Sequence, residues 1–132
     1  MTANHSVSDL VSIINNGYLA RKKLVQSPIS SLREDVLKIL KDEGYILNYT
    51  KIKTEDGKDR FNIHLKYHFS DPVMTEIQVV SKPGRRIYRK YKDLPLIRNG
   101  LGMVVVSTSK GVISSYTAKT MKLGGDILLK VF

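Results

Sequence analysis

The chain has 132 residues, of which 42% are hydrophobic, and a formal net charge of +10. This composition is typical of a folded protein with one or two small units, and it excludes a disordered tail. Cysteine is absent, which excludes disulfides and thiolate metal sites and fits a cytosolic protein. No apolar run approaches the roughly 18 residues of a membrane span, and the polar start of the chain has no signal-peptide core. We therefore expect no membrane partner.

The first third of the chain predicts two helices separated by a short strand. Gly17 should weaken or end the first helix, and residues 24–26 follow as a strand. Ser30 or Ser31 can cap the second helix, with Glu34 three residues after Ser31 as in a capping box. The apolar stripe of the first helix has helical spacing and comprises Val7, Leu10, Val11, Ile14 and Tyr18.

Residues 45–70 predict two strands. The first begins at Tyr45, and Asp56-Gly57 marks a tight turn after it. Residues 61–67 then alternate apolar and polar side chains, as in a strand with one face inward. With the preceding elements, this gives an α-β-α-β-β order for an N-terminal unit at residues 1–70.

Residues 73–132 predict a C-terminal unit that is mostly β with a short helix. The helix spans 114–123, and Gly124-Gly125 is expected to break it. Strands are expected at 77–80, 87–91, 102–106, 111–113 and 127–132. The fold class is therefore α+β, with two small units.

Basic residues are concentrated in the second unit. Residues 71–132 hold 11 basic and 4 acidic residues, against 11 and 8 in residues 1–70. A polyanionic partner, foremost a nucleic acid, is the direct interpretation, and a solvated basic face or a membrane surface are the alternatives. A smaller cluster, Arg21–Lys23, is equally consistent with contact to an RNA backbone and with a solvated surface. The densest cluster has one acid, Asp93, and seven cations: Lys82, Arg85, Arg86, Arg89, Lys90, Lys92 and Arg98.

The basic segment 82–91 also carries aromatic side chains. Arg and Lys neutralise phosphates, and an exposed Tyr can stack on an unpaired base or pack against a ribose. By strand alternation Tyr88 and Lys90 share one face, while Ile87 and Tyr91 share the other. One tyrosine is thus expected in the core, and the alternation leaves open which one.

The most informative stretch runs from Gly100 to Val112. Its residues 103–106 suit a buried strand, and Gly111 lets the chain turn. Between them stand three hydroxyl groups, which both donate and accept hydrogen bonds, and one cation: Ser107, Thr108, Ser109 and Lys110. An ordinary polar turn is the alternative, but on so basic a chain the pattern favours a compact contact with structured RNA.

Catalytic and metal-binding constellations are not evident in the sequence. Ser107 and Ser109 lack a nearby base, and the spacing after Gly100 fits neither a dinucleotide fingerprint nor a Walker motif. We expect no catalytic residue, no metal and no cofactor; a small transferase that uses Ser109 or Lys110 is the alternative. The chain has three histidines, with no Cys or carboxylate cluster near them: His5, His64 and His68.

Taken in order, these segments resemble the bacterial small-subunit ribosomal protein eight family. The signature is the stretch Gly100–Val112, and the sequence Ser-Thr-Ser-Lys-Gly at 107–111 is its most specific part. The resemblance covers nearly the whole chain, through supporting stretches at 9–17, 40–46, 81–88, 94–95 and 123–127.

The resemblance implies two closely packed α+β units and a primary ribosomal RNA binder. The RNA would be an internal-loop stem in the central domain of the small-subunit ribosomal RNA. The protein would assist subunit assembly in the cytoplasm, beside neighbouring ribosomal proteins. Family members can also repress their own operon by binding a messenger RNA that mimics the stem. A basic adaptor that binds acidic partners without RNA specificity is the alternative function.

The resemblance also implies particular RNA-binding residues. The hydroxyl loop, Ser107, Thr108 and Ser109, would enter an irregular minor groove, with Lys110 and Gly111 beside it. The tyrosine that follows Pro-Gly-x-Arg-Ile in the family is Tyr88 here. The charge pattern adds the cations that would supply salt-dependent affinity, Lys82, Arg85, Arg86 and Lys90.

Two departures from the family pattern bear on these assignments. Asp126 stands where the family carries the glutamate of Gly-Gly-Glu, so this candidate site residue is one methylene shorter and is expected to reach less far toward a partner side chain. Residues 114–117, Ser-Ser-Tyr-Thr, replace a more charged family stretch, so the resemblance carries no RNA contact over to that helix start.

Overall fold

The computed structural model describes residues 3–132, with side chains from Ser6 onward, so the side chain of His5 lies outside the described residues. The helices in this range are α1 (Ala3–Leu19), α2 (Ser31–Asp42) and α3 (Ser115–Met121). Short 3-10 turns span Tyr91–Asp93 and Arg98–Gly100. The strands are β1 (Leu24–Pro28), β2 (Asn48–Ile52), β3 (Arg60–His64), β4 (Tyr67–His68), β5 (Asp71–Pro72), β6 (Ile77–Val79), β7 (Tyr88–Arg89), β8 (Met103–Thr108), β9 (Gly111–Ser114) and β10 (Gly125–Val131). The predicted α+β class is confirmed.

Helix α1 buries the stripe that its sequence predicts, from Val7 to Tyr18. Gly17 does not end the helix, which continues for two residues to Leu19. A Cβ at Gly17 would lie 2.5 Å from Cγ1 of Val25, and only glycine lets α1 approach β1 so closely. Tertiary packing here overrides the low helix propensity of glycine.

Helix α2 is capped by Ser30, whose hydroxyl accepts a hydrogen bond from the Arg33 amide at 3.1 Å. The capping box predicted for Ser31 and Glu34 does not form, because Ser31 is already the first helical residue. The Arg33 side chain is buried, and its guanidinium donates to Oδ2 of Asp9 at 2.8 Å. This ion pair joins α2 to α1.

The first sheet is antiparallel, with strand order β1-β3-β2. Phe61 and Ile63 of the central strand are fully buried, as the alternation predicts. Strand β2 begins at Asn48 rather than Tyr45, because the Tyr45 amide still bonds to the Leu40 carbonyl at the end of α2, at 2.8 Å.

The second sheet has strand order β6-β10-β8-β9, and β7 also pairs with β10. Strand β10 is therefore central and is flanked on one edge by β6 and β7 in succession. Helix α3 ends at Met121, and Lys122 supplies the left-handed cap with φ 58°. The expectation that Gly124-Gly125 breaks this helix is wrong; Gly125 is already the first residue of β10.

Two apolar clusters cover the two faces of the second sheet. Val105 and Leu129 belong to the main cluster, together with Val7 of α1 and Leu40 of α2. The smaller cluster lies on the opposite face and comprises Leu94, Val104, Val106, Ala118 and Ile127. The two predicted units share the main core, and their division into residues 1–70 and 73–132 stays a prediction.

The structure settles the orientation of the two tyrosines in the basic segment. Tyr91 packs against the smaller cluster together with Ile87, whereas Tyr88 is 60% exposed. The strand predicted for residues 87–91 is only Tyr88–Arg89, because a 3-10 turn begins at Tyr91.

Candidate nucleic-acid interface

The polar tip predicted from the sequence forms a β-hairpin with a two-residue loop. Ser107 and Thr108 still belong to β8, and Gly111 pairs with Thr108, so only Ser109 and Lys110 form the loop. The Thr108 hydroxyl donates to the Gly111 carbonyl at 2.8 Å and accepts from the Lys110 amide at 3.2 Å. Gly111 has φ 113°, a conformation that L residues rarely adopt. These bonds fix the loop and leave the side chains of Ser109 and Lys110 exposed.

The start of α3 holds the strand that leads to this hairpin. The Ser114 hydroxyl caps α3, and the Ser115 hydroxyl accepts from the Val104 amide at 3.2 Å. The Tyr116 hydroxyl donates to the Gly102 carbonyl at 2.7 Å, and burial raises its pKa. The segment that departs from the charged family stretch thus makes intramolecular contacts that position β8.

A row of polar residues crosses the second sheet beside the hairpin. Asp126 of β10 is paired with Tyr88 of β7 on one side and with Ser107 of β8 on the other. Directly paired antiparallel residues carry their side chains on the same face, with Cβ atoms about 4.5–5.5 Å apart. Val105 and Leu129 lie on this same face and are buried in the main core. The row is therefore the polar end of a face that is otherwise apolar.

An ion pair extends this row toward the basic segment. Nη1 of Arg86 lies 3.1 Å from Oδ2 of Asp126, and 56% of the Arg86 side chain remains exposed. The aspartate reaches its partner although it is one methylene shorter than glutamate. A guanidinium carries five N–H groups, so Arg86 keeps donors for a phosphate while Asp126 holds its position.

The basic turn between β6 and β7 projects cations from the same edge of the sheet. Lys82 and Arg85 bond to each other through their backbones, and Gly84 between them has φ 79°. The buried hydroxyl of Ser81 accepts from the Ile87 amide at 3.0 Å and anchors the base of the turn. The side chains of Lys82 and Arg85 are exposed as a result.

Two glycines allow the strands of the interface to approach one another. A Cβ on Gly125 would lie 2.0 Å from the carbonyl oxygen of Ser107, and a Cβ on Gly124 would lie 2.7 Å from that of Arg89. The sequence pattern did not identify them as interface residues, because consecutive glycines after a helix usually indicate its end. Their position directly before Asp126 and a strand was the available signal.

Arg89 belongs to the basic cluster but not to the predicted site, and the structure places it at the interface. It pairs with Gly125, and its guanidinium donates to the Tyr88 carbonyl at 2.8 Å. Lys90 follows it and is exposed, as is Arg89 itself.

The predicted site residues thus fall into two sets. The first set is brought together at one end of the second sheet and comprises Ser107, Thr108, Ser109, Lys110, Gly111, Tyr88, Arg86 and Asp126. The second set is exposed on the segments that flank β7 and comprises Lys82, Arg85 and Lys90. Such an arrangement can donate hydrogen bonds, neutralise phosphates and stack on a ring.

The part of the chain that the structure describes also bears on metal sites and membrane spans. Among the side chains described, from Ser6 to Phe132, no group of three or more His, Cys, Asp or Glu residues is placed to hold a metal ion. None of the helices described is long and apolar enough to cross a membrane. The α+β fold presents a basic and hydroxyl-rich end of one sheet, which is the chemistry that contact with a nucleic acid requires.

Comparison with known proteins assigns the family. The family model for ribosomal protein S8 matches residues 5–132. The small ribosomal subunit protein uS8 of Maricaulis maris is 45% identical over 131 residues, which is 99% of each chain. The proteins of the same name from Cereibacter sphaeroides and Agrobacterium fabrum are 46% and 45% identical over the full length of both chains. The chain belongs to the ribosomal protein S8 family.

Membership confirms the resemblance seen in the sequence. The family consists of structural ribosomal proteins rather than enzymes, so the transferase alternative is wrong. Ser109 and Lys110 belong to a structural component of the ribosome.

Proposed function

We propose that the chain is a primary ribosomal RNA-binding protein of the bacterial small ribosomal subunit. Its relatives carry the name of a small-subunit protein. It works in the cytoplasm, beside neighbouring small-subunit proteins, and assists assembly of the subunit. Its RNA target is an internal-loop stem in the central domain of the small-subunit RNA. A messenger RNA of its own operon that carries the same stem is a further ligand.

The observation that carries this proposal is the polar end of the second sheet. A regular RNA major groove is too deep and narrow for side chains, whereas the minor groove is shallow and displays 2′-hydroxyls. The loop of Ser109 and Lys110 is short and fixed by Thr108, so it suits a shallow and irregular minor groove. Hydroxyls that donate and accept can match both a 2′-hydroxyl and a base edge.

The aromatic and cationic groups provide the remaining contacts. The exposed ring of Tyr88 lies beside Asp126 and can stack on a base that the internal loop leaves unpaired. Phosphates on either side of the groove meet cations on the hairpin and the basic turn. These contacts supply affinity that depends on salt but carries no sequence information; the cations are Lys82, Arg85, Arg86, Lys90 and Lys110.

A salt-series titration tests the proposal. The purified protein is titrated with the central-domain stem that contains the internal loop, and with the same stem made fully base-paired. We expect a strong preference for the looped stem that persists at raised salt, because shape-dependent hydrogen bonds survive screening better than phosphate contacts.

Equal and steeply salt-dependent binding to both stems would overturn the proposal. It would favour a basic adaptor that binds acidic partners without RNA specificity. An acidic protein titrated in parallel provides the control, and it should bind more weakly than the looped stem at every salt concentration.

A further inference from the structure

We propose a second RNA contact, at the tip of the β4–β5 hairpin, where Phe69 stacks on an unpaired base while Arg21 and Lys23 contact the adjoining phosphates. This contact rests on the proposed function, since it assumes an RNA partner. It is formed by other elements than the hydroxyl hairpin and the basic turn.

The tip of this hairpin has an unusual backbone conformation. Strands β4 and β5 are joined by the two residues Phe69 and Ser70, both with positive φ, 49° and 71°. Two-residue turns of this kind favour Asn-Gly, because a bulky side chain is disfavoured in the left-handed region. Strained residues persist where the surrounding structure holds them, and they cluster at functional sites.

The neighbouring chain holds the tip in place. Nη1 of Arg21 donates to the Ser70 carbonyl at 3.2 Å, and Arg21 itself has φ 56°. The Tyr67 hydroxyl donates to the Lys22 carbonyl. Two strained backbone segments, one after α1 and one at the tip, are thus joined by hydrogen bonds. The conformation is therefore specified by contacts rather than by the local sequence alone.

The aromatic ring at the tip of the hairpin is exposed rather than packed in the protein core. Phe69 is 89% exposed, and its ring packs edge-to-face with the ring of His68 at a centroid distance of 4.4 Å. A hairpin tip that is held in a strained form and presents an open aromatic face suits stacking on a base. Such stacking tolerates any sequence, because every base has a π face.

The surrounding charge favours RNA over a protein partner. Arg21 and Lys23 line an open depression with Tyr67, Ser70 and Asp71. Among the residues that line this depression, two cations, Arg21 and Lys23, adjoin one carboxylate, that of Asp71. An apolar pocket on a protein would accept Phe69 but would leave these cations unmatched, whereas a nucleotide supplies both a ring and a phosphate.

A tryptophan at the tip gives a direct test, because the chain contains none. The Phe69→Trp variant is first saturated with the looped stem, which occupies the proposed main interface. A short single-stranded oligoadenylate is then added, and tryptophan emission is recorded. We expect emission to be quenched as a base stacks on the indole. The matched control is Leu47→Trp, at another exposed apolar position, 61% exposed, where emission should not change.

A second variant separates the ring from the fold. Phe69→Gly removes the ring and also relieves the positive-φ strain, so it should fold at least as well as the parent chain. We expect it to bind oligoadenylate about tenfold more weakly in the presence of the looped stem. Its affinity for the looped stem should be unchanged.

The outcomes distinguish this contact from the main interface. Unquenched emission in Phe69→Trp, together with unchanged oligoadenylate affinity in Phe69→Gly, would overturn the second contact. A parent chain that shows no preference for the looped stem would overturn the proposed function instead. Quenching of Phe69→Trp by oligoadenylate in the absence of the stem would still support the contact in that case.

Discussion

Asp126 and Arg86 form an ion pair across the edge of the second sheet, with 3.1 Å between Oδ2 and Nη1. The same aspartate is the strand partner of Ser107. A single carboxylate thus lies between a guanidinium and a hydroxyl, both of which we propose contact RNA. Because its negative charge repels phosphate, we expect the carboxylate to orient its neighbouring side chains rather than to attract the RNA.

Substitution of Asp126 separates these two effects. In Asp126→Asn, Arg86 loses its charged partner and a negative charge disappears. We expect binding to a fully paired stem to strengthen slightly, while the preference for the looped stem falls. Asp126→Glu keeps the charge and should retain the preference. Titration of both stems measures this, and an unchanged preference in Asp126→Asn would show that the carboxylate does not orient the paired Ser107 for recognition. Unfolding free energy should change by less than about 1 kcal/mol, as for an exposed pair.

Ser109→Ala should weaken binding without affecting the fold. Among the described residues, none hydrogen-bonds to the Ser109 hydroxyl, so its removal should change the free energy of unfolding by less than about 0.5 kcal/mol. Affinity for the looped stem should fall by about 1–3 kcal/mol, as for a hydrogen bond whose partner is left buried and unsatisfied. Calorimetric titration and urea unfolding measure the two quantities. Unchanged affinity in Ser107→Ala, Thr108→Ala and Ser109→Ala alike would contradict the loop assignment.

Thr108→Ala should act through the shape of the hairpin. Its hydroxyl bonds both to the Gly111 carbonyl and to the Lys110 amide. We therefore expect a loss of stability of about 1 kcal/mol as well as weaker binding. Thr108→Ser keeps the hydroxyl and should restore both. Failure of the serine variant to restore either quantity would show that the methyl group, not the hydrogen bonds, is needed.

Arg86→Ala should weaken binding to all RNAs to a similar degree. Removal of one phosphate contact lowers the slope of log K against log salt by about 1. Binding constants measured over a salt series provide the slope. Lys58→Ala removes an equal charge from the exposed β2–β3 turn and should leave the slope as it was. If both variants change the slope equally, the attraction is spread over the whole surface rather than focused near β7.

Gly125→Ala should destabilise the protein. The new Cβ would meet the Ser107 carbonyl at 2.0 Å, so β10 and β8 must separate. Overpacking of this kind costs about 1–3 kcal/mol, and RNA binding should fall with it. Gly57→Ala is the comparison. A Cβ at Gly57 would have free space, but the residue has φ 78°. The substitution should therefore lower the free energy of unfolding by only about 1–2 kcal/mol, for the left-handed backbone, and leave RNA binding intact. Urea unfolding and stem titration test both variants.

The buried hydroxyl of Tyr18 should make the stability of the protein depend on pH. Its hydroxyl donates to the Tyr45 carbonyl at 2.7 Å and accepts from the Lys66 amide at 3.2 Å, and burial raises its pKa. The unfolded chain therefore ionises first, and stability falls as the pH rises above about 10. In Tyr18→Phe, stability at neutral pH should be lower by about 1–3 kcal/mol, because two backbone groups lose their partner. Its decline above about pH 10 should be smaller than that of the parent chain. Urea unfolding at neutral and alkaline pH measures both; equal declines would show that other groups dominate.

The elements that the sequence predicted well are those with strong periodicity. The stripe from Val7 to Tyr18 and the alternation at Phe61 and Ile63 both depend on local spacing, which the fold preserves. Two of the differences between prediction and structure concern glycine. At Gly17 and Gly124 the backbone lies so close to another strand that a Cβ would not fit. Such tertiary contacts cannot be seen in the local sequence pattern.

The candidate site was predicted in composition but not in arrangement. The hydroxyl residues, the cations and Tyr88 all stand out in the sequence. The pairing of Asp126 with both Tyr88 and Ser107 depends on the sheet order, which no spacing along the chain reveals. The ion pair between Arg86 and Asp126 joins residues 40 positions apart and is likewise a product of the sheet.

Strand β8 begins in the main core and ends at the proposed RNA contact. Met103 at one end belongs to the same apolar cluster as Val7 of α1, while Thr108 at the other end fixes the hairpin loop. The direction in which the loop points is therefore influenced by packing at the opposite end of β8. Helix α1 packs in the core that supports the start of β8. In the RNA complex that we propose, the N-terminal half of the chain therefore orients contact residues that belong to the C-terminal half.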